Sequence, residues 1–231
     1  MSGVGGDPRH LLFFLLALLA GCFPPLRAPE GMGPGLVDAT SMAMGDGEMT
    51  LSTGPGTTVD PGGGWGPHLW TTAIGELDVG LGRSVSFVSG VELRGGSGEH
   101  TGVLRGRAGL RFRFAEHVWI SVGVTPLRGF GLMHSYLAAD FQIGGSAWLG
   151  PLLVSGGVGF STSTSLPLYA PTAFWYAQPS FGLALRVDPR SPVRPMIQAR
   201  AQIGASYLDF GWKSVGVDVV FGLQARVPSP E

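Results

Sequence analysis

Long stretches of strictly alternating apolar and polar residues constrain this chain more than any other feature. In "RPMIQARAQIGASY", residues 194–207, one set of alternate positions is apolar and the other is polar or small. A period of two residues predicts a β-strand whose two faces meet different surroundings. The same pattern recurs at 101–114, 135–149, 174–188 and 214–227, less regularly at 67–81, 84–94, 117–126 and 151–163, and briefly at 47–54.

These patterns predict an all-β fold, because no segment after about residue 47 shows the 3.6-residue period of a helix. They give roughly ten strands, within a range of eight to ten, each near the ten-residue length of a tilted membrane strand. Strands of a soluble sandwich are more often five or six residues long. The expected fold is therefore an antiparallel transmembrane-type β-barrel over residues 47–227.

The charged residues fall on one face of the predicted strands. An arginine facing lipid at the bilayer midplane costs roughly 2–4 kcal/mol, so in a membrane barrel this face must line the lumen. Gly and Ser on the same face, and a near balance of both charge signs, favour a crowded interior. The predicted lumen charge network consists of Glu76, Asp78, Glu92, Arg94, Arg105, Arg107, Arg111, Arg113, Asp140, Arg186, Arg194, Arg200, Asp218 and Arg226.

Aromatic residues gather near the predicted strand ends, as in the interfacial girdle of a membrane protein. They are Trp65, Trp70, Phe114, Trp119, Trp148, Trp175, Tyr207 and Trp212. The predicted connections alternate between short and long, as periplasmic turns and extracellular loops do. Loops 55–66, 127–133 and 164–173 are the expected surface for an unknown partner.

The N-terminus begins with a short apolar run, "LLFFLLALLA", at residues 11–20. Ten helical residues span about 15 Å, which suits the apolar region of a signal peptide better than a membrane span. The run ends in "LAGC", which resembles the lipobox of bacterial lipoproteins. The resemblance implies a signal peptide over 1–21 and a Cys22 acylated with palmitate or a similar chain. It also implies outer-membrane sorting, since Phe23 follows Cys22 where an Asp would typically retain the protein in the inner membrane.

Residues 22–46 are rich in Pro and Gly and show no period, which predicts a flexible tether. The lipid implied on Cys22 would hold the N-terminus on the periplasmic side. Met32, Met42 and Met44 could suggest a soft-metal site, but no His or Cys lies beside them, and linker is the preferred interpretation. Residues 228–231 form a C-terminal tail.

The body resembles small Gram-negative outer-membrane β-barrel proteins, which implies membrane lipid and the outer-membrane assembly machinery as partners. Two features depart from that pattern. The last strand ends at Val227 and is followed by "PSPE", where such barrels usually end on an aromatic residue. Pro179 lies within a predicted strand, where its missing N–H predicts a bulge or a strand that begins near Ser180.

Composition excludes several classes of function. Fifteen basic and sixteen acidic residues give a net charge of −1, so nucleic-acid binding is not expected. The single cysteine excludes an intramolecular disulfide. No cluster of His, Asp and Glu has the spacing of metal ligands, and no cofactor or metal is predicted.

Two candidate sites remain. "MHSY" places His134 and Ser135 near a rim, with Asp140 further along the same strand, but adjacent strand residues point to opposite faces and cannot share a proton. The four arginines at 105, 107, 111 and 113 could bind an anion, although pairing with Glu92, Asp140 and Asp218 in a narrow, filled barrel is preferred.

The sequence therefore predicts an outer-membrane lipoprotein with a structural, surface-interacting or narrow-pore role and no recognisable catalytic site. Two alternatives stay open. One is an enzyme that modifies outer-leaflet lipid; the other is a lipid-tethered soluble barrel or sandwich that binds a hydrophobic ligand in the periplasm.

Overall fold

The computed structural model describes residues 32–40, 42–59, 68–96, 102–114, 117–130, 135–166, 174–188, 191–206 and 212–227. The strands are β1 Gly47–Val59, β2 His68–Gly82, β3 Val85–Gly96, β4 Gly102–Phe114, β5 Val118–Phe130, β6 Ser135–Leu149, β7 Leu152–Leu166, β8 Phe174–Leu185, β9 Val193–Ser206 and β10 Trp212–Val227. Each strand pairs with its sequence neighbours, and β1 pairs with β10 to close the barrel. This confirms the predicted antiparallel, transmembrane-type barrel of about ten strands.

The two ends of the barrel differ in the length of their connections. The short-turn end carries the turns at 83–84 and 150–151, the three-residue link at 115–117, one longer link at 186–192 and the start of β1 at Gly47. The long-connection end carries the links at 60–67, 97–101, 131–134, 167–173 and 207–211. Three predicted loops are shorter than expected, because β1, β5 and β7 extend into 55–59, 127–130 and 164–166.

Pro179 lies inside β8 without disturbing its register, so the predicted bulge or later strand start is wrong. Pro179 pairs with Val158 of β7. On the other side, pairing with β9 is interrupted at 178–179 and resumes at Ser180 in the same register. A single missing N–H therefore costs local ladder bonds but leaves the strand continuous.

The inner face of the barrel is polar and the outer face is apolar. Alternate residues in β3 change between buried and exposed along the strand, with Ser86, Glu92 and Arg94 inward and Phe87 and Val91 outward. Glu92 is fully buried, whereas Val91 is 54% exposed. The described residues include no helix long and apolar enough to cross a membrane.

Residues 32–40 and 42–46, here called the lumen segment, run from the inside of the barrel to an exposed turn at residues 43–45. Met32, Val37 and Met42 are each at most 1% exposed. The segment joins β1 through a turn in which the Asp46 N–H donates to the carbonyl of Ala43 (3.2 Å). Gly45 has a φ of 85°, a left-handed conformation that favours glycine. From this turn at the short-turn end, the segment rises to Met32, level with Gln142 in the middle of β6.

The lumen segment differs from the flexible tether predicted for 22–46. Its backbone is held by polar side chains of the wall, and its apolar side chains from Met32 to Met42 are buried, so this part is packed rather than solvated. Residues 22–31 and 41 of the predicted tether, the signal peptide and the tail at 228–231 lie outside the described residues.

The seam between β1 and β10 leaves no room for a side chain at Gly222. A Cβ built there would collide with the carbonyl oxygen of Leu51 and lie 2.6 Å from the Cα of Ser52. Overpacking typically costs about 1–3 kcal/mol, and here the obstacle is backbone. We expect Gly222→Ala to lower the temperature at which the folded barrel unfolds in SDS, measured by gel mobility.

Gly47 on the same seam provides the matched control. A Cβ there would lie 3.9 Å from the carbonyl oxygen of Val227, an ordinary contact. Gly47→Ala should therefore leave the transition temperature near that of the wild type. Equal effects of the two substitutions would contradict the tight packing inferred at Gly222.

Candidate functional site: a filled and charged lumen

Toward the long-connection end, Glu92 stands at the centre of the main ion network. Its carboxylate lies 3.0 Å from Arg94, 2.7 Å from Arg105 and 3.2 Å from Arg200. Asp218 is the second acid of this network, 2.6 Å from Arg200 and 3.4 Å from Arg94. All five side chains are at most 7% exposed, so each charge depends on its partners rather than on water.

Arg107 and Asp140 form a second group in the barrel wall. Their closest ion-pair atoms are 3.0 Å apart. Arg107 also donates to Ser121 Oγ at 2.6 Å, and Thr125 donates to Asp140 at 3.0 Å. Both Asp140 oxygens are therefore engaged.

A third group lies toward the short-turn end. Arg111 pairs with Glu76 at 2.8 Å and also contacts Asp78. Arg113 pairs with Asp78 at 2.6 Å and donates to Ser86 Oγ at 2.7 Å. Each of the four arginines proposed as an anion site thus faces at least one carboxylate.

The lumen segment supplies further acids to this end of the barrel. Asp38 pairs with Arg194 at 3.2 Å, and its backbone carbonyl accepts from Arg113 at 3.4 Å. Asp46 pairs with Arg226 at 3.5 Å, and Arg226 also donates to Thr40 Oγ1 at 3.1 Å. The wall and the segment are therefore complementary in charge.

Tryptophan side chains line the lumen, so the predicted aromatic girdle is wrong for Trp70, Trp119 and Trp148. Trp119 is fully buried. The guanidinium of Arg94 lies 4.4 Å from the Trp70 ring, a cation–π distance. Phe114 does point outward, at 50% exposure. Trp65 and Tyr207 lie outside the described residues, and the side chains of Trp175 and Trp212 are not described.

Arg186 and Arg194 both lie at cation–π distance from the same tryptophan. Their guanidinium carbons lie 4.3 Å and 4.7 Å from the Trp148 ring. Arg186 follows the last residue of β8 and is half-buried. It is the member of the predicted network for which the structure gives an aromatic rather than an acidic partner.

Sequence reasoning missed several residues that contribute to the lumen. Asp38 and Asp46 were assigned to the tether. Glu48 belongs to the alternating face of β1 and accepts a hydrogen bond from Gln224 at 3.0 Å. The glutamines at 142, 198 and 224 lie on the same inner face as the charged residues. Neutral amides on that face are the sequence signal that the lumen beside them holds something other than an ion.

The residues considered for catalysis are not brought together within the described part of the chain. Asp140 is committed to Arg107 and Thr125. His134 lies outside the described residues, and the side chain of Ser135 is not described. Among the described residues, no group of three or more His, Cys, Asp or Glu could hold a metal ion.

Comparison with known proteins yields similarity of fold alone. No protein-family model matches the sequence, and no curated protein matches it. The outer membrane protease OmpT from Escherichia coli is 9% identical, with 79% of this chain and 97% of that chain covered and a TM-score of 0.49. Ail, the attachment invasion locus protein of Yersinia pestis, is 9% identical, with 80% and 99% covered and a TM-score of 0.29. OprG from Pseudomonas aeruginosa is 9% identical, with 82% and 99% covered and a TM-score of 0.29.

Proposed function

We propose that this protein is an outer-membrane β-barrel lipoprotein whose lumen is closed by its own N-terminal segment. Its role is structural, or is carried out through the long connections at the cell surface, rather than through an open pore. The observation that carries the proposal is the apolar outer face of a closed barrel whose charges are inside.

The outer face supports membrane insertion on energetic grounds. Leu51, Val91, Phe181, Phe221 and Leu223 are between 52% and 54% exposed, and they belong to a band that includes residues from all ten strands. Soluble monomers rarely expose contiguous apolar patches larger than a few hundred Å². Contact with the hydrocarbon of a membrane removes the cost of exposing this apolar surface to water. The closed sheet also leaves no strand edge unpaired in lipid.

Loop lengths support placing the short-turn end in the periplasm, as in known outer-membrane barrels. A lipid on Cys22 would be compatible with either orientation of the barrel. Met32 lies in the middle of the lumen, and the chain between Cys22 and Met32 is long enough to reach either end. Cys22 precedes Met32 by ten residues, which reach about 33–36 Å when extended. Half the height of the barrel, about 16 Å, is less than this extended length. The outer-membrane assembly machinery is a proposed partner.

The first test compares the gel mobility of boiled and unboiled detergent-extracted protein in SDS. Closed membrane barrels resist SDS until heated, because their backbone hydrogen bonds form a ring without an edge. We expect the unboiled protein to migrate faster than the boiled protein. Identical mobility, together with a Cys22→Ala variant that is soluble without detergent, would overturn the proposal.

The proposed anchor has its own test. We expect metabolic labelling with radioactive palmitate to mark the wild type and not Cys22→Ala, while both show the heat-dependent shift. Ser2→Ala, far from the lipobox, serves as the control and should label like the wild type. Labelling of Cys22→Ala would contradict acylation at this position and leave the barrel proposal intact.

The filled lumen predicts that the protein does not conduct. We expect conductance of liposomes with the reconstituted protein to be no greater than that of empty liposomes. Stable single-channel steps from wild-type protein would favour the narrow-pore role instead.

The two alternatives stand differently. A soluble module that binds a hydrophobic ligand needs the apolar face inside, and the structure has the reverse arrangement. The lipid-modifying enzyme rests on His134, and unchanged lipid profiles on expression of wild type and His134→Ala would count against it.

A further inference from the structure

Glutamines of the barrel wall hold the backbone of the lumen segment at every second residue. Each donates its side-chain amide N–H to a backbone carbonyl. The bonds run from Gln142 to Met32 (2.8 Å), from Gln198 to Pro34 (2.9 Å) and from Gln224 to Leu36 (3.4 Å). The three glutamines stand on β6, β9 and β10, so the wall reaches alternate carbonyls of the segment from several strands.

Two serines of the wall, Ser155 on β7 and Ser146 on β6, accept hydrogen bonds from backbone N–H groups of the segment. The N–H of Val37 donates to Ser155 Oγ at 3.3 Å, and the N–H of Ala39 donates to Ser146 Oγ at 2.7 Å. The wall therefore offers donors and acceptors to the peptide backbone, as a peptide-binding groove does.

The same alternate residues rest on glycines of the wall. An ideal Cβ built on each glycine would lie close to the side chain above it. The distances are 3.2 Å from Gly90 to Met32 Cε, 3.1 Å from Gly159 to Pro34 Cδ and 2.7 Å from Gly182 to Leu36 Cδ1. A larger wall residue would take up the space that the segment now fills.

Two side chains of the segment fix its register in the wall. Leu36 is 2% exposed and packs in an apolar cluster with Leu153, Ala184 and Met196, on an inner face that is otherwise mostly polar. Asp38, also 2% exposed, pairs with Arg194. An apolar side chain followed two residues later by an acid is thus the side-chain signature of the occupant.

The attachment resembles that of a ligand more than that of a strand. In the described part of the chain, backbone–backbone hydrogen bonds between the segment and the barrel are confined to Gly45 and Asp46 with Gly80. Residues 32–40 are held instead by wall side chains. All ten strands already close on one another without the segment.

We propose that the lumen is a binding site for an extended peptide, that residues 32–40 occupy it as an intramolecular ligand, and that the same peptide supplied in trans competes for it. This inference goes beyond the proposed function, because it depends on the barrel and its lumen and not on where the barrel resides.

The test begins with the full chain and a cleavage sequence for a site-specific protease inserted after Met44. Met44 is 77% exposed, so the insertion lies outside the packed segment. After cleavage of the folded protein, we expect the N-terminal fragment to co-elute with the barrel. Excess synthetic peptide of residues 31–43 should then displace it in a saturable manner.

Variant peptides test whether the recognition is specific. A Leu36→Asp peptide should displace the fragment at least about tenfold less well, because a buried apolar contact is lost and a charge is placed in the cluster. An Ala43→Ser peptide is the matched control and should act like the wild type within about threefold, since the Ala43 side chain is exposed. Loss of the fragment immediately on cleavage, or equal displacement by the Leu36→Asp peptide, would overturn the proposal.

A second variant avoids cleavage. Full-length Leu36→Asp carries a weakened intramolecular ligand and should bind fluorescently labelled wild-type peptide 31–43, while the full-length wild type should not. A heat-dependent gel shift shows that the variant is folded. A folded Leu36→Asp barrel that fails to bind the labelled peptide would show that the segment is an inseparable part of the fold.

Discussion

Replacing Glu92 by Gln is expected to lower the free energy of unfolding by about 3–5 kcal/mol, the usual cost of breaking a buried ion pair from one side. Glu92 is fully buried and faces Arg94, Arg105 and Arg200. Without its charge, Asp218 remains as the acid of this network that pairs with Arg94 and Arg200. The loss should appear as a lower midpoint in urea unfolding of the protein in lipid vesicles, followed by tryptophan fluorescence.

Glu76→Gln is the control, since it removes the same charge at a site where the arginine partner has a second acid. Arg111, the partner of Glu76, retains its contact with Asp78, and Glu76 is 8% exposed. We expect a smaller loss of stability than for Glu92→Gln. Equal midpoints for the two variants, or a Glu92→Gln barrel as stable as the wild type, would contradict the central place of Glu92.

Truncation of Trp119 to Ala is the second change with a large expected effect. Trp119 is fully buried, and its ring fills the space above Gly144 and Gly157 and packs against Val37 and Ala39 of the lumen segment. Removal of a buried aromatic ring typically costs about 3–5 kcal/mol, because the cavity does not fully collapse.

A comparison of Trp119→Phe with Trp119→Ala separates the effect of a smaller side chain from the loss of the aromatic ring. Trp119→Phe keeps a ring over the two glycines and should lose clearly less stability than Trp119→Ala in the same urea titration. In Trp119→Ala we also expect faster proteolysis at the turn around Met44, since the segment loses its support. An Ala variant as stable and as protease-resistant as the wild type would show that Trp119 does not hold the segment.

The barrel itself could be predicted from the sequence because the alternating pattern that defines each membrane strand lies within that strand. In β4, Arg105, Arg107, Arg111 and Arg113 alternate with smaller or apolar residues, and the structure puts all four arginines on the inner face. A register error of one residue would place these charges outside, so the alternation determines which face is which. The strand count followed from the same repeat, whereas β1, β5 and β7 extend beyond their predicted ends.

The lumen segment could not be predicted because its signals are non-local. Its Gly and Pro content is that of a linker, and residues such as Val37 and Leu36 are both buried although they are adjacent in the chain. A segment surrounded on all sides by a barrel has no solvent-facing side, so it shows no two-residue alternation of polarity. Its partners, such as Ser155 and Gln224, lie more than a hundred residues away.

The inward tryptophans were missed although the alternation already contained the information. Trp70 has an even number, as do Glu76 and Asp78 in β2, and Trp148 has an even number, as does Asp140 in β6. Residues of the same parity, even or odd, lie on the same face of a strand. Proximity to a strand end suggested the interface, whereas parity placed these rings on the charged face. Parity was the better guide, because it follows from strand geometry alone.

We propose that the apolar face of the barrel meets lipid while the lumen is filled. Collision rates of a nitroxide attached to single cysteines along β1, in a Cys22→Ala background refolded in lipid vesicles, test this most directly. At Met49, Leu51 and Thr53, which are exposed, we predict frequent collisions with oxygen, which concentrates in the bilayer. At Thr50 and Ser52, which are 7% and 8% exposed, we predict few collisions with oxygen or with a water-soluble nickel complex. Preferential collision of nickel at Met49, Leu51 and Thr53 would put the apolar face in water and contradict the account.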